Sequence, residues 1–248
     1  MSARHVCREL RAAKMRSFVR PNVPTRDVLQ LAKRKSFATS IARKSKVWFK
    51  SLVFSDESWM TCNEMTSKSQ WSKTRRNVLP RERKSKWNVP SILIWGAVGV
   101  GYKSDLVIFP AKMATDGVMK AFRLDAKSYV RRCLQHVVPA LLSGKKVFQQ
   151  DGARCHVSTH VTNYLDRKGV ERLENWPPYS PDLSPIENLW YELKRRVGEK
   201  CPLTTAELEV ATQEAWQEIP QATVDRHVLS FEERVRKCGA RNGGVPNH

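Results

Sequence analysis

Three acids stand where the chain changes character: Asp56 in VFSDESW, Asp151 in VFQQDGARC and Glu187 in SPDLSPIENLW. Each aspartate follows a short apolar run, VWFKSLVF before Asp56 and KKVF before Asp151. Such runs read as buried strands, so both aspartates are expected at strand ends. Carboxylates on one rim of a sheet are where α/β folds place their chemistry. Like charges brought that close repel, and hard carboxylate oxygens suit Mg²⁺ or Mn²⁺ as the cation that holds them together. Three such acids can hold two ions about 3.5–4 Å apart, the arrangement that activates water and stabilises a leaving oxygen in phosphodiester chemistry. Glu187 has a second reading. Ser184, Pro185 and Glu187 spell an S-x-x-E capping box with proline at the first helical position. The same carboxylate fits a helix cap or a metal ligand.

The elements that must position these acids follow from hydrophobic periodicity. SARHVCRELRAAKM reads as a short basic helix, and TRDVLQLAKRKSFATSIARK as another after Pro21 and Pro24. VWFKSLVFSDES, SILIWGAVGV and DLVIFP read as strands, the last two joined in a hairpin by GVGYKSD. The GAVGVG run has the wrong spacing for a dinucleotide fingerprint and lies between strands, so it is read as turn chemistry. MKAFRLDAKSYVRRCLQHVVPALL is a helix, KKVFQQD a fourth strand, HVSTHVTNYLDRKG a helix stopped by Gly169, and VERLENW a fifth strand. IENLWYELKRRV, TAELEVATQEAWQEI and VDRHVLSFEERVRKCG are three amphipathic helices, the last closed by Gly239. The layout is α/β: a mixed five-stranded sheet flanked by helices.

Charge narrows the partner. The 248 residues carry 44 Lys and Arg against 24 Asp and Glu, a net +20 with pI near 10.1. A surplus that large favours a polyanion, and double-stranded DNA leads. No apolar run approaches the roughly 20 residues that span a bilayer, and the N-terminus lacks the apolar stretch of a signal peptide. The six cysteines lie far apart without a C-x-x-C, which favours a reducing compartment. Cys155, His156 and His160 are read as packing rather than as a soft-metal site. Cations gather in the first fifth of the chain, with Arg4, Arg8 and Arg11 as expected phosphate contacts. They gather again in KSQWSKTRRNVLPRERKSKW, where Lys68, Lys73, Arg75, Arg76, Arg81, Arg83, Lys84 and Lys86 interleave with Trp71 and Trp87. That stretch fits a DNA groove; the bland alternative is a solvated loop anchored by its tryptophans.

VFSDESW, VFQQDGARCHVS and WPPYSPDLSPIENLWYELKRRV resemble, in order, the three catalytic blocks of mariner-superfamily transposases, over roughly four fifths of the chain. The third block is the most specific. The resemblance implies an RNase H-like catalytic domain at 47–248, with Asp56, Asp151 and Glu187 as its DDE triad. It implies metal-dependent DNA cleavage and strand transfer into a TA dinucleotide, a dimeric working unit, and a partner-reaching clamp loop after Asp56. His156 matches a histidine of the second block, where it would hold the pocket; a helix N-terminal histidine is the alternative. Gly152 stands where the family has Asn, and 35 residues separate Asp151 from Glu187, one more than is commonest. Residues 1–20 resemble the remnant of a second helix-turn-helix unit and 21–46 a basic linker, so specific end recognition is expected to be weak. Nuclear localisation is implied, with KRK at 33–35 and RERKSK at 81–86 as signals or phosphate contacts. A catalytically silent or domesticated DNA-binding remnant is the alternative function.

Overall fold

The computed structural model describes residues 26–62, 90–110, 112–113, 119–120, 122 and 124–245. Helix α1 (Val28–Ile41) begins at Asp27, whose side chain accepts the Gln30 N–H while the Gln30 side chain accepts the Asp27 N–H. This reciprocal capping box starts the helix. Its buried face, Phe37, Ala38 and Ile41, packs on the C-terminal helix. From Arg26 onward, the segment read as a linker is therefore part of the packed body.

A short helix α2 (Lys46–Ser51) follows, capped by the Ser45 side chain, which accepts from Trp48 N. Residues 47–51 were expected to open the first strand. A short apolar run fits either element, and the serine cap decides for helix.

Strand β1 (Leu52–Thr61) is one of two inner strands of the sheet. It pairs antiparallel with β2 (Ser91–Gly99), with Asp56 opposite Gly96, and parallel with β7 (Val147–Gln149), with Phe54 opposite Gln149. Strands β3 (Tyr102–Lys103) and β4 (Val107–Pro110) both pair with β2, completing a mixed five-stranded sheet. The fifth strand is thus Tyr102–Lys103 rather than VERLENW. That segment touches β7 through one bridge, Phe148 to Arg172, before Asn175 turns the chain at φ 57°. Gly96 lies inside β2, within the strand read as SILIWGAVGV, and the turn that follows is made by Gly101 of GVGYKSD at φ 67°.

Strands β5 (Lys112–Met113) and β6 (Met119–Lys120) form a separate ribbon. The helix expected from Met119 starts instead after Asp125, whose side chain accepts from Ser128 N. It runs as α3 (Ala126–Tyr129), a π turn (Val130–Leu134) and α4 (Gln135–Ser143). Helix α5 (Thr159–Lys168) is capped by Ser158 and ends at left-handed Gly169. Helices α6 (Ile186–Lys200), α7 (Thr205–Gln217) and α8 (Gln221–Ala240) close the chain. Gly239 falls inside α8 rather than ending it.

Side-chain alternation along β1 sends Phe54 to one core and Val53 to the other. The first core contains Trp190, Trp216 and Phe231; the second contains Trp95, Tyr129 and Phe148. Among the described residues no helix is long and apolar enough to cross a membrane.

Candidate active site

Asp56 lies in the middle of β1, not at its end. Its parallel neighbour β7 stops at Gln149, opposite Phe54, so β1 runs on past β7 before it reaches Asp56. Asp151 follows two residues beyond β7, and Ser55 Oγ donates to the Gln149 carbonyl at 2.9 Å, tying the strands together just before both aspartates. Glu187 sits in the first turn of α6. All three acids line one cavity of about 600 Å³, walled also by Trp176, Pro178 and Tyr179. The size suits a phosphodiester and its neighbours.

The capping box predicted for Glu187 is absent. Pro185 already has helical angles and caps no amide through a side chain. The chain enters α6 through successive turns, Leu183 N donating to the Ser180 carbonyl, Ser184 N to Pro181 and Asn188 N to Pro185. Glu187 therefore keeps its oxygens for the cavity, and the competition between cap and ligand does not arise.

Burial, then the charges of Glu187 and Glu57, push the Asp56 carboxyl up to about 8. Burial also raises Glu187, with Lys194 opposing it. Asp56 is held from above by Trp190, whose indole N–H donates to Oδ2 at 3.2 Å. Trp190 follows Glu187 by three residues, so one face of α6 delivers both. The indole has room because Gly96, opposite Asp56, has no side chain: a Cβ there would meet Trp190 Cη2 at 3.1 Å.

Asp151 is held differently. His156 Nδ1 lies 2.6 Å from Asp151 Oδ1 and its Nε2 lies 3.1 Å from Glu57 Oε1, with the ring tilted on Tyr129 at 4.3 Å between centroids. Burial would lower the imidazole, but hydrogen bonds to Asp151, Cys155 and Glu57 prevail and raise it to about 12. Two N–H donors thus bridge two carboxylates. Burial raises Asp151 as well, and the His156 and Ala153 N–H bonds outweigh it, holding the carboxyl low. Sequence reading missed Glu57 and Trp190. Strand alternation carried a signal for Glu57, since it must face away from Asp56; the i, i+3 spacing carried one for Trp190.

The loop before Glu187 is clamped from a distance. Arg34, fully buried on α1, donates through NH2 and NH1 to Asp182 at 2.6 and 3.1 Å, through NH1 to Ser180 Oγ at 2.6 Å and through Nε to the Gly243 carbonyl at 2.7 Å. Arg26 adds NH2 to Asp182 at 2.6 Å and Nε to the Tyr179 carbonyl at 3.0 Å. With Arg34 inside, residues 33–35 are not an exposed basic triplet. The expected DNA contacts Arg4, Arg8, Arg11, Lys68, Lys73, Arg75, Arg76, Arg81, Arg83, Lys84 and Lys86 lie outside the described residues. Among the described residues no three His, Cys, Asp or Glu side chains are gathered closely enough to hold a metal ion as they stand.

Comparison with known proteins decides the family. The model of the DDE superfamily endonuclease matches residues 51–208, a span that includes all three acids. The chain belongs to the DDE endonuclease superfamily. The chain is 30% identical to the Tc3 transposase of Caenorhabditis elegans over 205 residues, 81% of this chain and 59% of that protein. It is 32% identical to the Tcb1 transposase of Caenorhabditis briggsae over 150 residues, 60% of this chain and 50% of that protein. The chain thus spans between half and three fifths of these relatives. Its fold matches the Mos1 transposase paired-end complex with left transposon end, at TM-score 0.80 and 18% identity over 100% of this chain and 72% of that one. The Mos1 catalytic domain, solved with Mg and Raltegravir, matches at TM-score 0.67 and 15% identity, over 90% of this chain and 99% of that one. The RNase H-like architecture is that of the mariner catalytic domain.

Proposed function

We propose that this DDE endonuclease acts as a transposase, cutting DNA and joining the freed 3′ hydroxyl to a target, with Asp56, Asp151 and Glu187 as its catalytic, metal-holding set. One observation carries the reading: three acids from separate motifs line one cavity beside β1. The relatives named as transposases support the reaction class.

The donor set fits hard divalent cations. Asp56 and Glu187 are both held above their ordinary values, by burial first and, for Asp56, by the charges of Glu187 and Glu57 as well. A divalent cation would offset the negative charge that three carboxylates bring to one cavity. When bound, two Mg²⁺ or Mn²⁺ ions supply Lewis acidity toward the scissile phosphate and lower the pKa of attacking water. The Mos1 structures with Mg support the metal class.

The chain's own residues do the positioning. Trp190 fixes one oxygen of Asp56, leaving the other for the cavity. His156 fixes Asp151 through Nδ1 and is itself fixed through Nε2 by Glu57, so the carboxylate cannot rotate away from the pocket. The net charge of +20 draws the DNA backbone in. Lys68 to Lys86 are the proposed groove contacts, and a dimer in the nucleus is the proposed working context.

Incubation of supercoiled plasmid with the protein tests the reading. Nicking with Mg²⁺ or Mn²⁺, none with EDTA, and joining of an added 3′-hydroxyl oligonucleotide are expected. Tight binding without cutting under any metal would favour a silent DNA-binding remnant.

A further inference from the structure

Tyr179 lines the cavity that holds Asp56, Asp151 and Glu187. The residue is 63% exposed. Its backbone, at φ 52°, is in the left-handed region that a bulky residue rarely adopts. Such conformations persist only when the surroundings over-determine them, and they cluster at functional sites.

The surroundings here do so. Arg26 Nε holds the Tyr179 carbonyl at 3.0 Å, Ser180 Oγ donates to the Pro178 carbonyl at 3.0 Å, and Arg34 NH1 donates to that same hydroxyl oxygen at 2.6 Å. Pro177, Pro178 and Pro181 fix three further φ angles around it. A glycine would take this conformation without strain, yet the position carries a large ring open to solvent. A rigid aromatic face costs little conformational entropy when a ligand settles on it. In a strongly basic protein, an exposed aromatic beside a phosphodiester-sized cavity suits a nucleobase, because every base offers a π face.

We propose that Tyr179 is a base-stacking residue that seats a nucleobase next to the phosphate in the cavity. The proposal rests on the DNA-cleaving reading of that cavity and adds the group that grips the base. Stacking needs the ring and not the hydroxyl, so Phe substitutes and Leu does not.

Photocrosslinking tests this. The full chain is irradiated with nicked, mixed-sequence duplex DNA carrying 5-iodouracil beside the nick, and adducts are mapped by peptide mass spectrometry. An adduct on Tyr179 is expected, and Tyr179→Phe keeps both the adduct position and the affinity. Tyr179→Leu loses the adduct and binds the nicked duplex roughly 5- to 150-fold more weakly, with unchanged thermal melting. An adduct map without Tyr179, or Tyr179→Leu binding as tightly as the wild type, overturns the proposal. Crosslinking does not require cleavage, so the two readings fail separately. A protein that cuts with metal but gives no Tyr179 adduct contradicts the stacking role alone. A protein that forms the adduct but never cuts supports stacking and contradicts the transposase reading.

Discussion

Trp190 donates its indole N–H to Asp56 at 3.2 Å from the same helix face that carries Glu187. Two acids distant in sequence are thus set by one helix, and any shift of α6 moves both. Trp190→Phe keeps a ring against Trp216, which lies 5.5 Å away between centroids, and removes only the donor. A hydrogen bond to a carboxylate is worth about 1.5–3 kcal/mol, so DNA nicking is predicted to fall about tenfold or more. An unchanged nicking rate would remove Trp190 from the positioning role.

Gly96 is the space Trp190 occupies. A Cβ there would sit 3.1 Å from Trp190 and 3.3 Å from Leu106. Gly96→Val is predicted to destabilise the fold by about 1–3 kcal/mol through overpacking, read by urea denaturation, and to lower nicking further by displacing the indole. A variant as stable and as active as the wild type would contradict the close fit.

The clamp on the Glu187 loop depends on one carboxylate. Asp182→Asn leaves buried Arg34 without its counter-charge, and breaking a buried pair in this way costs about 3–5 kcal/mol. A fall of roughly 10 °C in Tm is predicted by calorimetry. A change of a degree or so would mean that Ser180 and the Gly243 carbonyl suffice for the guanidinium.

Metal binding should be linked to protons through Asp56. Burial and the Glu187 charge raise this carboxyl from 3.8 to about 8 in the metal-free protein. The unfolded chain gives up the proton first, so the contribution to stability is full below 3.8 and is lost as pH rises through about 8. A divalent cation replaces that proton. Mn²⁺ affinity is predicted to rise with pH up to about 8, with proton release at neutral pH seen by titration calorimetry in buffers of different ionisation enthalpy. Affinity independent of pH, without proton release, would contradict the burial of Asp56.

What was legible in the sequence was local. The motif acids, most helices and the mixed sheet follow from apolar periodicity and from short blocks whose residues lie close along the chain. Three kinds of feature were not legible. The helix at Lys46–Ser51 depends on a Ser45 cap that outweighs a strand-like apolar run. The cap read at Ser184 gives way to the turns that lead from Ser180 into α6. The Arg34–Asp182 and His156–Glu57 pairs join residues 148 and 99 positions apart, and no spacing rule announces a contact made only by tertiary packing. Asp56 itself was recognised by type but misplaced at a strand end, because β1 continues along β2 after its parallel neighbour has stopped.

Asp56, Asp151 and Glu187 are proposed to work as one metal-dependent set. Plasmid nicking in Mg²⁺ or Mn²⁺ by Asp56→Asn, Asp151→Asn and Glu187→Gln, with DNA affinity measured beside it, tests this most directly. Each variant is expected to lose nicking by about a thousandfold or more while DNA binding is kept, and strengthened in Asp151→Asn, which removes negative charge from the cavity. Nicking that survives in any one of the three, at wild-type DNA affinity, would contradict it.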